Sequence, residues 1–230
     1  MSIATLIIGP PGSGKSTSLR NLDPASTLLI QTIKKAVPFR RPGWGYFHPQ
    51  ERPTGNIMVS DQVPAIINIM RKTRRKVLVL DDWNVLLTNE FMRRSDEKGY
   101  DKFNDIGRSA WDLFNAVSGL ADDVTVYLLG HVQEDEFGNA KAKTIGRMID
   151  EKFPVESYFA TVLRAQRQDR QHLFRTANSG SDTTKAPMDM FPDELIDNDL
   201  AEVDRLVRAF YDLPLIQPAT EPTNNGAPQQ

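Results

Sequence analysis

Residues 9–16 read Gly9-Pro10-Pro11-Gly12-Ser13-Gly14-Lys15-Ser16, and no other segment restricts the fold as strongly. In the pattern G-x-x-x-x-G-K-[ST], successive backbone N–H groups turn inward on phosphate oxygens, which requires a buried strand before the loop and a helix opening after it. Both flanks are present: residues 5–8 form an apolar run, and residues 16–22 read as a helix. Gly12 and Gly14 allow the turn, Lys15 carries a mobile charge for the β and γ phosphates, and the Ser16 hydroxyl suits magnesium, with Thr17 beside it. Residues Gly9, Pro10, Pro11, Gly12, Ser13, Gly14, Lys15, Ser16 and Thr17 thus predict a site for a nucleoside triphosphate, read as ATP with Mg2+.

The rest of the chain repeats the strand-then-helix rhythm. Buried strands are expected at 27–32, 77–80 and 124–129, the second so continuously apolar that both of its faces must be covered. A helix is expected from about Ser60 or Asp61, with Pro64 in its first turn. Phe103, Ile106, Ala110, Leu113, Phe114, Val117 and Leu120 recur at helical spacing along another. Two strand candidates, 158–163 and 172–176, flank a charged turn and suggest a hairpin. Leu200, Val203, Leu206, Val207 and Phe210 line a last amphipathic helix. The connection 38–53, with Trp44, Tyr46 and Phe47, is read as too polar for core, its aromatics open to stacking on bases, on adenine or on the body of the protein. The fold class is therefore α/β, a mostly parallel sheet with helices on both faces and a C-terminal hairpin plus helix.

The chain has 230 residues, enough for one domain, expected over 1–212, and a Pro/Asn/Gln-rich tail over 213–230, expected to be disordered. No apolar run approaches the roughly 18 residues needed to span a bilayer, so no membrane partner is expected. The first residues run straight into the loop rather than through a secretion signal, and there is no cysteine, which together suit the cytoplasm. Residues 1–110 carry an excess of Lys and Arg and the remainder an excess of Asp and Glu, an asymmetry that suits either a polyanion-binding face or meeting surfaces between subunits.

Asp81 ends the strand 77–80, where side chains of a parallel sheet face the ligand crevice, and is the expected magnesium partner of Ser16. Asp82 is the candidate to orient or deprotonate the attacking water, against the alternative of a loop-capping acid. His131 follows the next strand, placed to contact the γ phosphate, against a plain structural histidine. Two expected loops on the same edge, 88–102 and 132–147, supply Arg93, Arg94 and Lys98, and Lys141, Lys143 and Arg147, as candidate contacts for DNA phosphates. Both also contain acids, so a merely solvated surface is the competing reading.

Beyond the loop, the chain resembles phage-encoded nucleotide-binding proteins of the RecA-like, AAA-type kind, which include single-strand annealing proteins. The resemblance rests on Val37-Pro38-Phe39 with Trp44, Lys143-Thr144-Ile145-Gly146 to Asp150, the segment 176–180, Lys185-Ala186-Pro187, Met190-Phe191 and Ile196-Asp197-Asn198-Asp199-Leu200. It implies a RecA-like P-loop core in which the His131 strand separates the loop strand from the Asp81 strand. It also implies an ATPase acting on single-stranded DNA in recombination, a homo-oligomeric ring or filament, and a place in the host cell cytoplasm. Lys185, in the Lys-x-Pro motif, is the implied finger toward a neighbour's γ phosphate, and the tail is the implied contact for a single-strand-binding protein. One departure stands out: where RecA has its catalytic glutamate, this chain reads Gln31-Thr32-Ile33-Lys34, and separate DNA-binding hairpins are not expected. Two other classes remain open: a nucleotide-gated scaffold that hydrolyses little, and a small-molecule kinase, which would need an arginine-rich lid, whereas Arg164, Arg167 and Arg170 fall in the expected hairpin turn and Asp81-Asp82 suits an ATPase better.

Overall fold

The apolar runs of the sequence become neighbours in one sheet. The computed structural model describes residues 1–146 and 153–216. In chain order it runs through β1 (Ile3–Ile8), a short 3-10 helix (Thr17–Asn21), β2 (Thr27–Gln31), β3 (Ile57–Val59), α1 (Val63–Lys72), β4 (Val77–Asp81), α2 (Trp83–Arg93) and α3 (Asp101–Ser118). There follow β5 (Thr125–Gly130), β6 (Val132–Glu134), β7 (Ala140–Ala142), a second 3-10 helix (Val155–Tyr158), β8 (Thr161–Gln168), β9 (Gln171–Arg175), β10 (Leu195–Asp197) and α4 (Leu200–Phe210).

Eight strands pair in the order β10-β9-β8-β1-β5-β4-β2-β3. The six from β8 to β3 are parallel, and β9 and β10 add antiparallel at one edge. Parallel neighbours end on the same edge, so the residues after β1, β4 and β5 gather there. The register aligns Ile8 with Gly130, and Asp81 with both Leu129 and Gln31.

Both faces of the sheet are covered. On one, Ile66 and Met70 of α1, Trp83 and Leu86 of α2, and Ile106, Leu113 and Val117 of α3 pack against Leu6, Leu78, Leu80 and Leu128. On the other, Leu19, Trp44, Leu200, Val203 and Val207 cover Ile7, Leu29, Val79, Tyr127 and Leu163. The second face encloses a buried ion pair: Arg208 Nε donates to Asp204 Oδ2 at 2.7 Å, and Asp204 Oδ1 accepts from the hydroxyls of Thr125 and Tyr127. That network fixes α4 to β5.

Several sequence expectations change. The helix expected over 16–22 is only a five-residue 3-10 segment, stopped before Pro24, whose ring disfavours helical conformation at Asp23. The connection 38–53 does enter the core: Trp44 is buried and packs edge-on to Phe39, with centroids 5.2 Å apart. The segment 88–102 is not a loop throughout, because its first residues complete α2. The segment 132–147 contains a two-stranded hairpin, β6 with β7, where none was expected. The C-terminal hairpin forms between β8 and β9, turning at Asp169 and Arg170, both at positive φ. No described helix is long and apolar enough to cross a membrane. Of the tail, residues 217–230 lie outside the described residues, as does Asp150.

Candidate functional site

The loop after β1 has the expected backbone: Gly12 and Gly14 adopt φ of +76° and +97°, a region costly for any residue with a Cβ. At Gly9 a Cβ would lie 2.5 Å from the Ala165 carbonyl oxygen, so the loop sits tight on β8. Lys15 folds over its own loop, 6% exposed, donating to the carbonyls of Gly9 (2.7 Å) and Pro10 (3.0 Å). Burial lowers its pKa, partly offset by Asp82 and Asp81. The short 3-10 helix behind the loop has little macrodipole.

Asp81 meets the loop from β4. It is 1% exposed, and the Ser16 hydroxyl lies 3.2 and 3.3 Å from its two carboxylate oxygens. Burial raises the Asp81 pKa and the neighbouring Asp82 adds to it, opposed by Lys35 and Ser16. Next in the chain, Asp82 stands at φ 63°, ψ 52° at the start of α2. Such a left-handed aspartate is held by its surroundings: its carbonyl accepts from Thr32 Oγ1 (3.2 Å) and from the Val85 N–H (2.9 Å). The backbone thus turns sharply and sends two consecutive carboxylates into the same space.

His131 joins them from the end of β5. Its Nε2 is 3.4 Å from Asp82 Oδ1, and its backbone N–H donates to Asn84 Oδ1 at 2.7 Å. Burial lowers the His131 pKa, and the positive charge of Lys15 lowers it further. Asn84 also donates to the Lys143 carbonyl, so one side chain ties α2 to both ends of the β6–β7 hairpin, His131 before β6 and Lys143 after β7. Gly130 has to be glycine here, because a Cβ would run into Trp83 and come within 2.6 Å of Asn84 Oδ1.

Sequence reasoning missed Lys35. Its Nζ lies 3.1 Å from Asp81 Oδ2 and also pairs with Asp82. Burial works to lower its pKa, but Asp81 and Asp82 outweigh it and the net shift is upward. Its backbone carbonyl is anchored by the Tyr46 hydroxyl (2.7 Å) and the Gln31 amide (3.0 Å). Gln31 therefore does not leave an empty position: it holds the lysine that faces the acids. The nearest signal in the sequence is the Lys34-Lys35 pair just past β2, in the segment that lacks an acid.

The remaining candidates are dispersed. Lys185 is exposed, and its backbone exchanges hydrogen bonds with Val162 on β8 at 2.7 and 3.0 Å. It stands on the flank of β1 opposite the acid pair, with β1 and β5 between β8 and β4. Arg93 bonds Asp61 (2.7 Å) and Glu90 (2.8 Å), and Arg94 bonds Glu97 (2.7 Å) and Asp105 (2.9 Å), so acids already neutralise both. Lys98 is exposed; Lys141 is on β7, and Lys143 follows it, exposed beside His131. Arg147 lies outside the described residues. Arg164 faces Asp182 at 3.4 Å, and Arg167 and Arg170 belong to the β8–β9 hairpin.

Among the described residues no three His, Cys, Asp or Glu side chains converge on a metal position. The donors at hand, one hydroxyl and one carboxylate, fit magnesium, which favours oxygen ligands and completes its shell with water and phosphate oxygens. No protein-family model matches the chain, and no curated protein matches it.

Proposed function

We propose that the chain is a magnesium-dependent ATP-binding protein with a RecA-like core, an ATPase that acts on single-stranded DNA in phage recombination, by annealing or in a recombinase-like manner. The observation that carries the nucleotide part is the Ser16–Asp81 contact: two residues 65 positions apart, one from each half of a P-loop site, meet at 3.2 Å. Magnesium would be held by Ser16 and Asp81 and would supply charge neutralisation at the phosphates. Lys15 would exchange the carbonyls of Gly9 and Pro10 for phosphate oxygens, while the loop N–H groups bind and orient the triphosphate.

The strand order β8-β1-β5-β4 supports the RecA-like part, since the His131 strand stands between those bearing the loop and the acids. His131 touches Asp82 and, across the base of the β6–β7 hairpin, adjoins Lys143, giving a short route from the γ phosphate to an exposed basic segment. Under this reading that segment, with Lys98, meets the DNA backbone, and Lys185 reaches a neighbouring protomer's nucleotide. The test is the affinity of the purified protein for a labelled single-stranded oligonucleotide with and without ATP and Mg2+. A nucleotide-dependent change is expected, and an identical affinity in both states rejects the DNA reading.

A nucleotide-gated scaffold with little hydrolysis is the second reading. It is favoured by the pairing of Asp82 with Lys35, which leaves that acid engaged, and by Gln31 where an acid would serve as base. Turnover by the wild type set against Asp82→Ala separates the two, because only an ATPase using Asp82 slows.

A further inference from the structure

Asn198 is a buried polar side chain beside the loop. It is 3% exposed, yet neither Oδ1 nor Nδ2 has a hydrogen-bond partner among the described residues. Buried amides without partners are uncommon, because the folded state bears their desolvation with nothing in return. This one abuts the phosphate loop: a Cβ on Gly14 would lie 2.9 Å from Asn198 Oδ1 and 3.0 Å from His172 Nδ1. The position is held firmly. Arg20 donates to the Asn198 carbonyl at 2.6 Å, Asn21 donates to Asp199 at 2.6 Å, and the Asn198 N–H reaches the His172 carbonyl at 3.3 Å.

The topology says which part of a nucleotide comes here. Asp81, Asp82 and His131 lie on the β5 and β4 side of β1, whereas His172 is the second residue of β9 and Asn198 follows β10, on the other side. A triphosphate whose γ end faces the acids extends its nucleoside toward His172 and Asn198. Resting on the triphosphate reading above, we propose that Asn198 and His172 form the nucleoside subsite, Asn198 reading an edge of the base and His172 bordering it. A carboxamide offers one acceptor and a donor group side by side, the complement of the adjacent donor and acceptor on a base edge such as that of adenine. His172 is exposed and presents a flat ring beside the same loop residue.

Calorimetric titration of the full chain with Mg2+ and ATP, ribose 5-triphosphate or inorganic tripolyphosphate tests this, using wild type, Asn198→Ala and His172→Ala. Loss of a base contact weakens ATP about tenfold, the equivalent of one hydrogen bond, and leaves the other two ligands unchanged. If all three ligands weaken together, Asn198 only props the loop; if ribose 5-triphosphate follows ATP, the sugar and not the base is read; if ATP is unchanged in both variants, the subsite is wrong. Each of these overturns the proposal. Should wild type bind neither ATP nor tripolyphosphate, the triphosphate reading itself fails, a result distinct from all three. His172→Ala, at an exposed position, keeps the comparison available if Asn198→Ala does not fold.

Discussion

Replacing Lys35 by methionine removes a basic side chain that bridges Asp81 and Asp82 while keeping most of its apolar stem. At an effective dielectric constant near 20, two unit charges 3.1 Å apart attract by about 5 kcal/mol. The Lys35 side chain is 38% exposed, so solvent screening and the cost of ordering it reduce the net contribution to about 1–2 kcal/mol. For a chain of this size that lowers Tm by about 2–8 °C. The variant also leaves two adjacent carboxylates facing each other, one of them 1% exposed, with Ser16 as the remaining partner of Asp81. Millimolar Mg2+ without nucleotide should therefore raise the Tm of Lys35→Met more than that of wild type, because the metal takes over the missing positive charge. Differential scanning fluorimetry with and without Mg2+ measures both effects. An unchanged Tm with an unchanged Mg2+ response would show that Lys35 does not neutralise the acid pair.

Three further outcomes follow from the geometry. Asp204→Ala leaves the Arg208 guanidinium, 1% exposed, without its carboxylate and should cost about 3–5 kcal/mol, read as a lower urea midpoint at unchanged slope. Gly130→Ala forces Trp83 and Asn84 aside and should cost about 1–3 kcal/mol, with weakened nucleotide binding because the His131 N–H loses its Asn84 partner; equal stability to wild type contradicts the packing described. His131 binds its proton less well folded than unfolded, so protonation opposes folding: its contribution is complete above the ordinary histidine value of about 6.5 and declines as pH falls below it. Denaturation of His131→Gln from pH 5 to 8 should accordingly show a shallower loss toward acid than wild type.

The parts of the fold carried by local pattern were legible in the sequence. The apolar run before Gly9, the buried strand ending at Asp81 and the spaced Leu200, Val203 and Val207 each signal their element, and the parallel order places their ends together. What escaped depended on contacts between distant segments. The start of α2 is hidden because Asp82 turns through a left-handed conformation, and only Trp83, Leu86 and Leu87 mark its buried face before a polar stretch follows. Trp44 sits in a connection rich in Pro, Gly and charge, so its burial is visible only once Phe39 and the sheet surround it. Lys35 lies 46 positions from Asp81, joined by the β2–β4 register, and no spacing rule links the two. In the sequence Asn198 belongs to the Ile196-Asp197-Asn198-Asp199-Leu200 segment; its missing partners and its approach to Gly14 are three-dimensional facts.

The central claim is that residues 9–16, with Asp81, bind a triphosphate together with magnesium. Isothermal titration of wild type and Lys15→Ala with ATP, with Mg2+ and then with EDTA, tests it most directly. One nucleotide per chain is expected, with an affinity that falls when Mg2+ is removed and a loss of at least about a hundredfold in Lys15→Ala, some 2.7 kcal/mol of charge-assisted contact. Equal ATP affinity in the two proteins, or wild-type binding indifferent to Mg2+, would contradict it.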